Sequence, residues 1–239
     1  MNEVNTTPGV AIVTGVSQGF GRAVTHALLQ RGWTVVGDAR HSAALHATAS
    51  ALDSPRLIAI PGDVTDASHR DALVTAARDA GPLRLLVNNA SALGPSPQPA
   101  VADYPLSGLR TVYEVNVVAP LALIQAALPQ LAENRGLVVN VTSDAAVEAY
   151  PGWGGYGSSK AALDQVSAVL ATESSVVAVY AFDPGDMRTE MQQAAFPGED
   201  ISDRAEPETV VPAFMRLLDG RPASGRYRAG DLALAGTGA

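Results

Sequence analysis

The segment Val10-Ala-Ile-Val-Thr-Gly-Val-Ser-Gln-Gly-Phe-Gly-Arg22 runs from four apolar residues through three glycines into a stretch with helical spacing. Apolar residues at successive positions, rather than alternate ones, mark a strand covered on both faces, as in a parallel sheet between helices. The glycines have separate uses: Gly15 permits a tight turn, Gly19 lets a phosphate approach the backbone, and Gly21 lets the following helix lie close to the strand. Free N–H groups at the start of that helix then face the anion. A plain turn fits the same residues, but the position inside a first strand–helix–strand unit favours a nucleotide.

Working outward, strand-sized apolar runs recur at 10–13, 33–36, 57–60, 83–87, 137–141 and 176–182. Segments with helical spacing lie between them at 20–31, 42–52, 67–80, 106–131 and 156–172. This alternation predicts an α/β protein, a three-layer doubly wound parallel sheet with helices on both faces. Residues 1–239 read as one domain, for no linker-like stretch interrupts the pattern. From 183 onward the chain changes character: a polar stretch, a helical run at 208–219, and SGRYRAGDLALAG, which supplies a last short strand and brings the sheet to about seven.

Of the 239 residues 47% are hydrophobic and 17% charged, and the formal net charge is −8. That balance, with no run of Lys or Arg, argues against a nucleic-acid partner. The chain has no cysteine, so disulfides, zinc–thiolate sites and cysteine nucleophiles are excluded. His26, His41, His46 and His69 lack metal-ligand spacing, and no metal site is expected. No basic, apolar leader is evident, and apolar residues nowhere run for the ~18 positions of a spanning helix. A cytoplasmic location without a membrane partner is the expectation.

Tyr156 and Lys160 stand four apart and so share one helix face, an arrangement that a solvated surface pair explains equally well. Ser143, thirteen positions earlier at the end of the fifth strand, changes the weighing. In a doubly wound sheet the carboxyl ends of strands open into the ligand crevice. Ser143 as a hydrolase nucleophile is disfavoured by the lack of a G-x-S-x-G elbow and of a placed histidine.

Thr14, Gly15, Gly19 and Gly21, Asn88-Asn89-Ala90, Asn116, Ser143, Tyr156-x-x-x-Lys160 and Asp183-Pro184-Gly185 together resemble the short-chain dehydrogenase/reductase family. The resemblance follows the family's order and spacing over nearly the whole chain, with TGxxxGxG in place of GxGxxG. It implies a Rossmann-like fold and an NAD(P)-dependent reduction of a ketone or aldehyde, or the reverse. A non-redox catalyst or a cofactor-sensing regulator on the same fold is the alternative, as fold alone does not settle function.

By that resemblance the cofactor lies along Gly15, Ser17, Gln18, Gly19, Phe20 and Gly21. Beyond the turn it meets Asp63, Val64, Asn89 and Ala90, then Tyr156, Lys160, Pro184, Gly185, Met187 and Thr189. Thr189 reads equally as a bare helix cap, and Asp66 as the cap of the next helix. The position of the family's NAD-selecting acid is Ala39, and the next is Arg40, whose guanidinium suits a 2′-phosphate. This favours NADP(H), with NAD(H) possible. Asp38, one place early, reads as a ribose ligand, as a helix cap near Ser42, or as a partner of Arg40. Ser91 replaces the family's glycine after Asn-Asn-Ala, which predicts a narrowed, shifted loop near the cofactor's ribose.

In the implied chemistry Ser143 polarises the substrate carbonyl, and Tyr156 donates the proton or accepts it. A free phenol of pKa ~10 needs lowering by ~3 units, about 4 kcal/mol, to act near neutrality, and Lys160 is expected to supply this. Pro120 has no N–H, so the carbonyl of Asn116 loses its i+4 partner and is free to hold a water that connects Lys160 to solvent. Candidate substrate-pocket residues are Ser143, Asp144, Glu148, Trp153, Tyr156 and Met191, with Leu93, Met187 and Phe196 around them. The segment 189–207 is expected to form a flap, so that 183–239 contributes the flap and the last strand. Relatives associate through helices corresponding to 106–131 and 156–172, which implies a homodimer or homotetramer.

Overall fold

The computed structural model describes residues 8–234; residues 1–7 and 235–239, the two ends of the expected single domain, lie outside the described residues. Seven parallel strands form one sheet in the order β3-β2-β1-β4-β5-β6-β7. They are β1 (Val10–Val13), β2 (Thr34–Ala39), β3 (Leu57–Pro61), β4 (Leu83–Asn88), β5 (Leu137–Val141), β6 (Ala178–Asp183) and β7 (Gly225–Arg228). The helices are α1 (Gly19–Gln30), α2 (Ser42–Leu52), α3 (Ala67–Ala80), α4 (Leu106–Tyr113), α5 (Ala119–Glu133), α6 (Gly154–Glu173), α7 (Glu190–Ala195), α8 (Pro207–Gly220) and α9 (Ala229–Leu234). The chain lays β1 to β3 in one direction and then returns to place β4 on the other side of β1. The strand order therefore reverses between β1 and β4, and a crevice opens there above the strand ends.

The double-sided burial read from β1 is borne out: all four of its residues are buried. Because side chains alternate across a strand, Ala11 and Val13 enter one core and Val10 and Ile12 the other. The first core is covered by Val24 and Leu28 of α1, Leu45 of α2 and Phe214 and Leu217 of α8. The second is covered by Leu73 of α3, Leu123, Ile124 and Leu131 of α5 and Leu170 of α6. Within the first core the rings of Phe20, Phe182 and Phe214 stand 5.5–5.8 Å apart, which joins the start of α1, the end of β6 and α8.

The expected elements are present, with instructive shifts at their ends. The second strand begins at Thr34 and not at Trp33, because the Trp33 N–H still bonds the Leu28 carbonyl at the close of α1. The sixth is displaced toward its carboxyl end, from 176–182 to Ala178–Asp183. The single helix expected over 106–131 is interrupted by a wide, π-helical turn at Glu114–Val118, next to the proline that cannot donate an i→i−4 bond. As one run, Leu106–Glu133 is long and apolar enough to cross a membrane, with an 18-residue stretch of mean hydropathy 1.5. Its residues Leu123, Ile124, Ala127 and Leu131 are buried in the second core.

Phe214 is fully buried among aromatic and aliphatic neighbours. Phe214→Ala is expected to lower stability by about 3–5 kcal/mol through the lost contacts and the cavity left behind. A urea unfolding midpoint close to that of the unaltered chain would count against this packing.

Candidate active site

The carboxyl ends of β1, β2, β4, β5 and β6 open into one cleft of about 260 Å³. At its floor lies the glycine turn. Gly15 and Gly19 hold φ of 72° and 54°, the left-handed region in which a side chain is strained. A Cβ on Gly21 would stand 2.3 Å from the Gly15 carbonyl oxygen, so α1 meets the strand end only because this residue has none. The side chain of Gln18, at the N-cap of α1, does not cap the helix. The first-turn N–H groups of α1 thus have no side-chain acceptor from the N-cap, which is the arrangement a phosphate takes.

Asp38 departs from two of its readings, the helix cap and the pair with Arg40. It is 1% exposed, accepting from the Gly15 N–H through Oδ1 (2.8 Å) and from His69 Nε2 through Oδ2 (2.9 Å). It neither caps α2, whose N-cap is His41, nor pairs with Arg40. Each oxygen thus carries one hydrogen bond that braces the turn, and Asp38 lines the cleft together with Ala39 and the exposed Arg40 that follows β2. Asp63 and Val64 follow, Asp63 accepting from the Thr65 N–H (2.9 Å) and hydroxyl (2.8 Å). Burial pushes the Asp63 carboxyl up, but the Thr65 donors, with Arg40 and His69, outweigh it and hold the group below the usual carboxylate value. Asp66 caps α3 as expected, accepting from the Ser68 N–H at 2.9 Å.

From β4, Asn88 donates to Asn140 Oδ1 (2.8 Å), tying β4 to β5. Asn89 turns back to the glycine turn and donates to the carbonyls of Thr14 (2.8 Å) and Gly15 (3.2 Å). Ser91 lines the cleft, and the loop that it interrupts is held: its hydroxyl donates to Asn116 Oδ1 (3.1 Å). Asn116 is fully buried below the cleft wall, bonded also to both backbone groups of Ala92 and to the Ser159 hydroxyl. Its side chain fixes the β4 loop against α6 rather than entering the cleft.

Ser143, Tyr156 and Lys160 converge at the end of β5. Ser143 caps a short 3-10 turn, Asp144–Ala146, and its hydroxyl donates to Asp144 Oδ1 (2.9 Å). Tyr156 lies in the first turn of α6, its ring 5.7 Å from that of Trp153. Lys160 is 2% exposed; its Nζ donates to the Val141 carbonyl (2.8 Å) and lies 5.5 Å from the centre of the Tyr156 ring. Burial lowers the Lys160 pKa to about 8, while Asp164 works against the shift. The phenol departs from expectation. Burial raises it above the ordinary tyrosine value, with Asp183 and Asp144 adding to the shift and the hydroxyls of Ser91 and Ser143 opposing it. Desolvation of the phenolate outweighs what the two hydroxyls return.

The remaining pocket residues divide. Asp144, Trp153 and Met191 line the cleft, with Leu93 and Met187. Glu148 is exposed and accepts from the Tyr150 hydroxyl (2.8 Å), so it is not a pocket residue. Phe196 packs behind the wall on Trp153, with ring centres 6.0 Å apart. Pro184 and Gly185 line the end of β6, and Thr189 both lines the cleft and caps α7 by accepting from the Gln192 N–H (3.2 Å). The segment 189–207 is tied near its ends, where Met187 and Ala205 form a parallel bridge and Arg188 pairs with Glu206. Among the lining residues that the sequence reading missed are His41, Val115, Thr142, Asp186, Gln192 and Ala195, which no motif marks.

The family model for short chain dehydrogenase matches residues 9–200. An uncharacterized oxidoreductase of Saccharomyces cerevisiae is 36% identical over 186 residues, covering 77% of this chain and 72% of the relative. Serine 3-dehydrogenase of Agrobacterium fabrum is 34% identical over 186 residues, covering 76% and 73%. A crystal structure of a short chain dehydrogenase from Escherichia coli complexed with NADPH superposes with a TM-score of 0.86 at 27% identity, covering 95% of this chain and 98% of that one. The chain belongs to the short-chain dehydrogenase family. It is an NAD(P)-dependent oxidoreductase of that class, with the family's Rossmann-like fold.

Between pH about 8 and 10.5 the folded chain releases the Lys160 proton while the unfolded chain keeps it, so this group makes stability rise with pH across that window. Urea unfolding of the unaltered chain and of Lys160→Met checks this. The stability difference in favour of Lys160→Met should be larger at pH 7 than at pH 10, and a difference independent of pH would refute it.

Proposed function

We propose that the chain is an NADP(H)-dependent enzyme that reduces a ketone or aldehyde to an alcohol, or the reverse, with Tyr156 as proton donor and acceptor. The observation that carries this is the meeting of the Ser143 hydroxyl, the buried Tyr156 phenol and the anchored Lys160 ammonium at the end of β5, in a cleft continuous with the uncapped start of α1. When bound, the nicotinamide supplies or takes the hydride. The groups of the chain do the rest. Ser143 turns its proton from Asp144 to the substrate oxygen and polarises the carbonyl. Tyr156 delivers its proton to that oxygen as negative charge develops there. Lys160, anchored on Val141, places a cation beside the phenol and offsets the charge left behind. The raised phenol is protonated at neutral pH, which suits the reductive direction.

For the cofactor's other end, Arg40 is the proposed ligand of a 2′-phosphate, since the neighbouring acid Asp38 is engaged beneath the glycine turn. The relative named serine 3-dehydrogenase and the neighbour complexed with NADPH are consistent with a small hydroxy or keto substrate and with NADP. We read the chain as one unit in which 183–239 furnishes the flap, and as a homodimer or homotetramer joined through α4, α5 and α6.

NADPH oxidation with a panel of ketones and aldehydes tests the reading. Tyr156→Phe should lower kcat by about 10²–10⁴-fold, the usual weight of a general acid. Alcohol oxidation should rise with pH from 7 to 8 as the phenolate fraction grows, while reduction should fall above pH about 8 as Lys160 loses its proton. Silence across a broad panel would favour a non-redox or regulatory role. Arg40→Ala is expected to weaken NADPH binding by about tenfold or more, with NADH little changed, as a charge-assisted contact of ~1.5–3 kcal/mol is lost. Equal weakening of both cofactors in a binding titration would count against Arg40 as the discriminator.

A further inference from the structure

The last strand carries a group that neither the glycine turn nor the Ser-Tyr-Lys set accounts for. Arg226 of β7 is three-quarters buried, and its guanidinium reaches three other elements at once. Nη2 donates to the Ser143 carbonyl oxygen (2.9 Å) and to Asp183 Oδ2 (2.9 Å), and Nε donates to Asp164 Oδ2 (3.1 Å). Ser143 follows β5, Asp183 ends β6, and Asp164 lies one turn beyond Lys160 on α6. We propose that Arg226 is a positioning residue of the active centre, whose planar fork holds the Ser143 strand end, the end of β6 and the Tyr156–Lys160 face of α6 in one fixed arrangement.

The proposal rests on Tyr156 as the proton donor and adds a residue outside the family's reacting set. Geometry supports it first. Three acceptors on three elements call for donors fixed in a plane, which a guanidinium has and a lysine ammonium on a flexible stem does not. Charge supports it second. Asp183 is 2% exposed, and Asp164 is mostly buried. The charged and titratable groups around them are Arg226, Arg228, Lys160, Asp144 and Tyr156. Arg228 lies 3.9 Å from the same Asp183 oxygen but is largely exposed. Asp183 and Asp144 oppose ionisation of Tyr156, and Asp164 favours the protonated form of Lys160. Unpaired, the Asp183 charge would act on the phenol at full strength in a desolvated site.

Arg226→Met removes both fork and charge, whereas Arg226→Lys keeps the charge and removes the fork. The experiment measures kcat, KM and the pH profile of alcohol oxidation, with NADPH affinity and thermal unfolding, for both variants beside Tyr156→Phe. In Arg226→Met the acid limb of kcat/KM should move up by about one pH unit as Tyr156 becomes harder to ionise, and kcat at pH 7 should fall by roughly tenfold. NADPH affinity should stay within about twofold, as the cofactor's phosphates lie at the other end of the cleft. In Arg226→Lys the limb should stay in place while kcat falls. A folded Arg226→Met with unaltered limb and kcat would overturn the proposal, as would losses confined to melting temperature and cofactor affinity. Should Arg226→Met not fold, Arg226→Lys decides: reduced kcat with an unmoved limb supports the role, and unaltered kcat overturns it. Activity retained in Tyr156→Phe overturns the proton-donor assignment on which the proposal rests. Activity lost there, beside an unaltered Arg226→Met, overturns the role of Arg226 alone.

Discussion

Everything in the cleft is referred to Gly15, which three strands hold at once. Its N–H is taken by Asp38 from β2, and its carbonyl by Asn89, which follows β4, while Gly15 itself follows β1. The Thr14 hydroxyl accepts the N–H groups of Asn89 and Ala90 and closes the same loop of bonds. These contacts lie where the strand order reverses, the one place in such a sheet where neighbouring connections leave to opposite sides and a crevice is unavoidable. The cost of an unsatisfied backbone group in a buried turn explains why a carboxylate and an amide are committed there. That commitment fixes Asp38 at the cleft beside the exposed Arg40.

At the other end of the cleft the governing effect is desolvation. Tyr156 and Lys160 are both shut away from water, and burial drives their pKa values toward the neutral forms, the phenol upward and the ammonium downward. The chain answers with dipoles and hydroxyls rather than with a second ion pair at the reacting atoms. Lys160 has the Val141 carbonyl, and the phenol has Ser91 and Ser143. Asp164 and Asp183 are paired with Arg226, while Asp144 accepts from the Ser143 hydroxyl. Burying two ionisable groups in this way costs stability, and shifted groups of this kind cluster at functional sites.

Much of the fold is legible in the chain itself. Runs of successive apolar residues and the intervening helical spacing placed six strands to within a few residues, and the glycine turn, Ser143, Tyr156 and Lys160 were marked by spacing. What escaped is of one kind. Asp38 was read as a ribose ligand, a cap or a partner of Arg40, and its actual partners are Gly15, 23 residues away, and His69, 31 away. Glu148 was a candidate pocket residue, yet it is exposed and accepts from the Tyr150 hydroxyl. Phe196 faces Trp153 rather than the substrate space. Arg226 carried no signal at all, since its partners lie 43 to 83 positions upstream.

The sequence by itself determined the period of each segment, the turns that only glycine permits, and the residues able to do proton chemistry, because these depend on a few neighbouring positions. Tertiary structure alone decided which carboxylates line the cleft, which way the phenol's affinity for its proton moves, and which strand pairs with α6 through Arg226 and Asp164. Those outcomes depend on burial and on charge at distances of a few ångströms between residues far apart in the chain, and no local pattern encodes such distances.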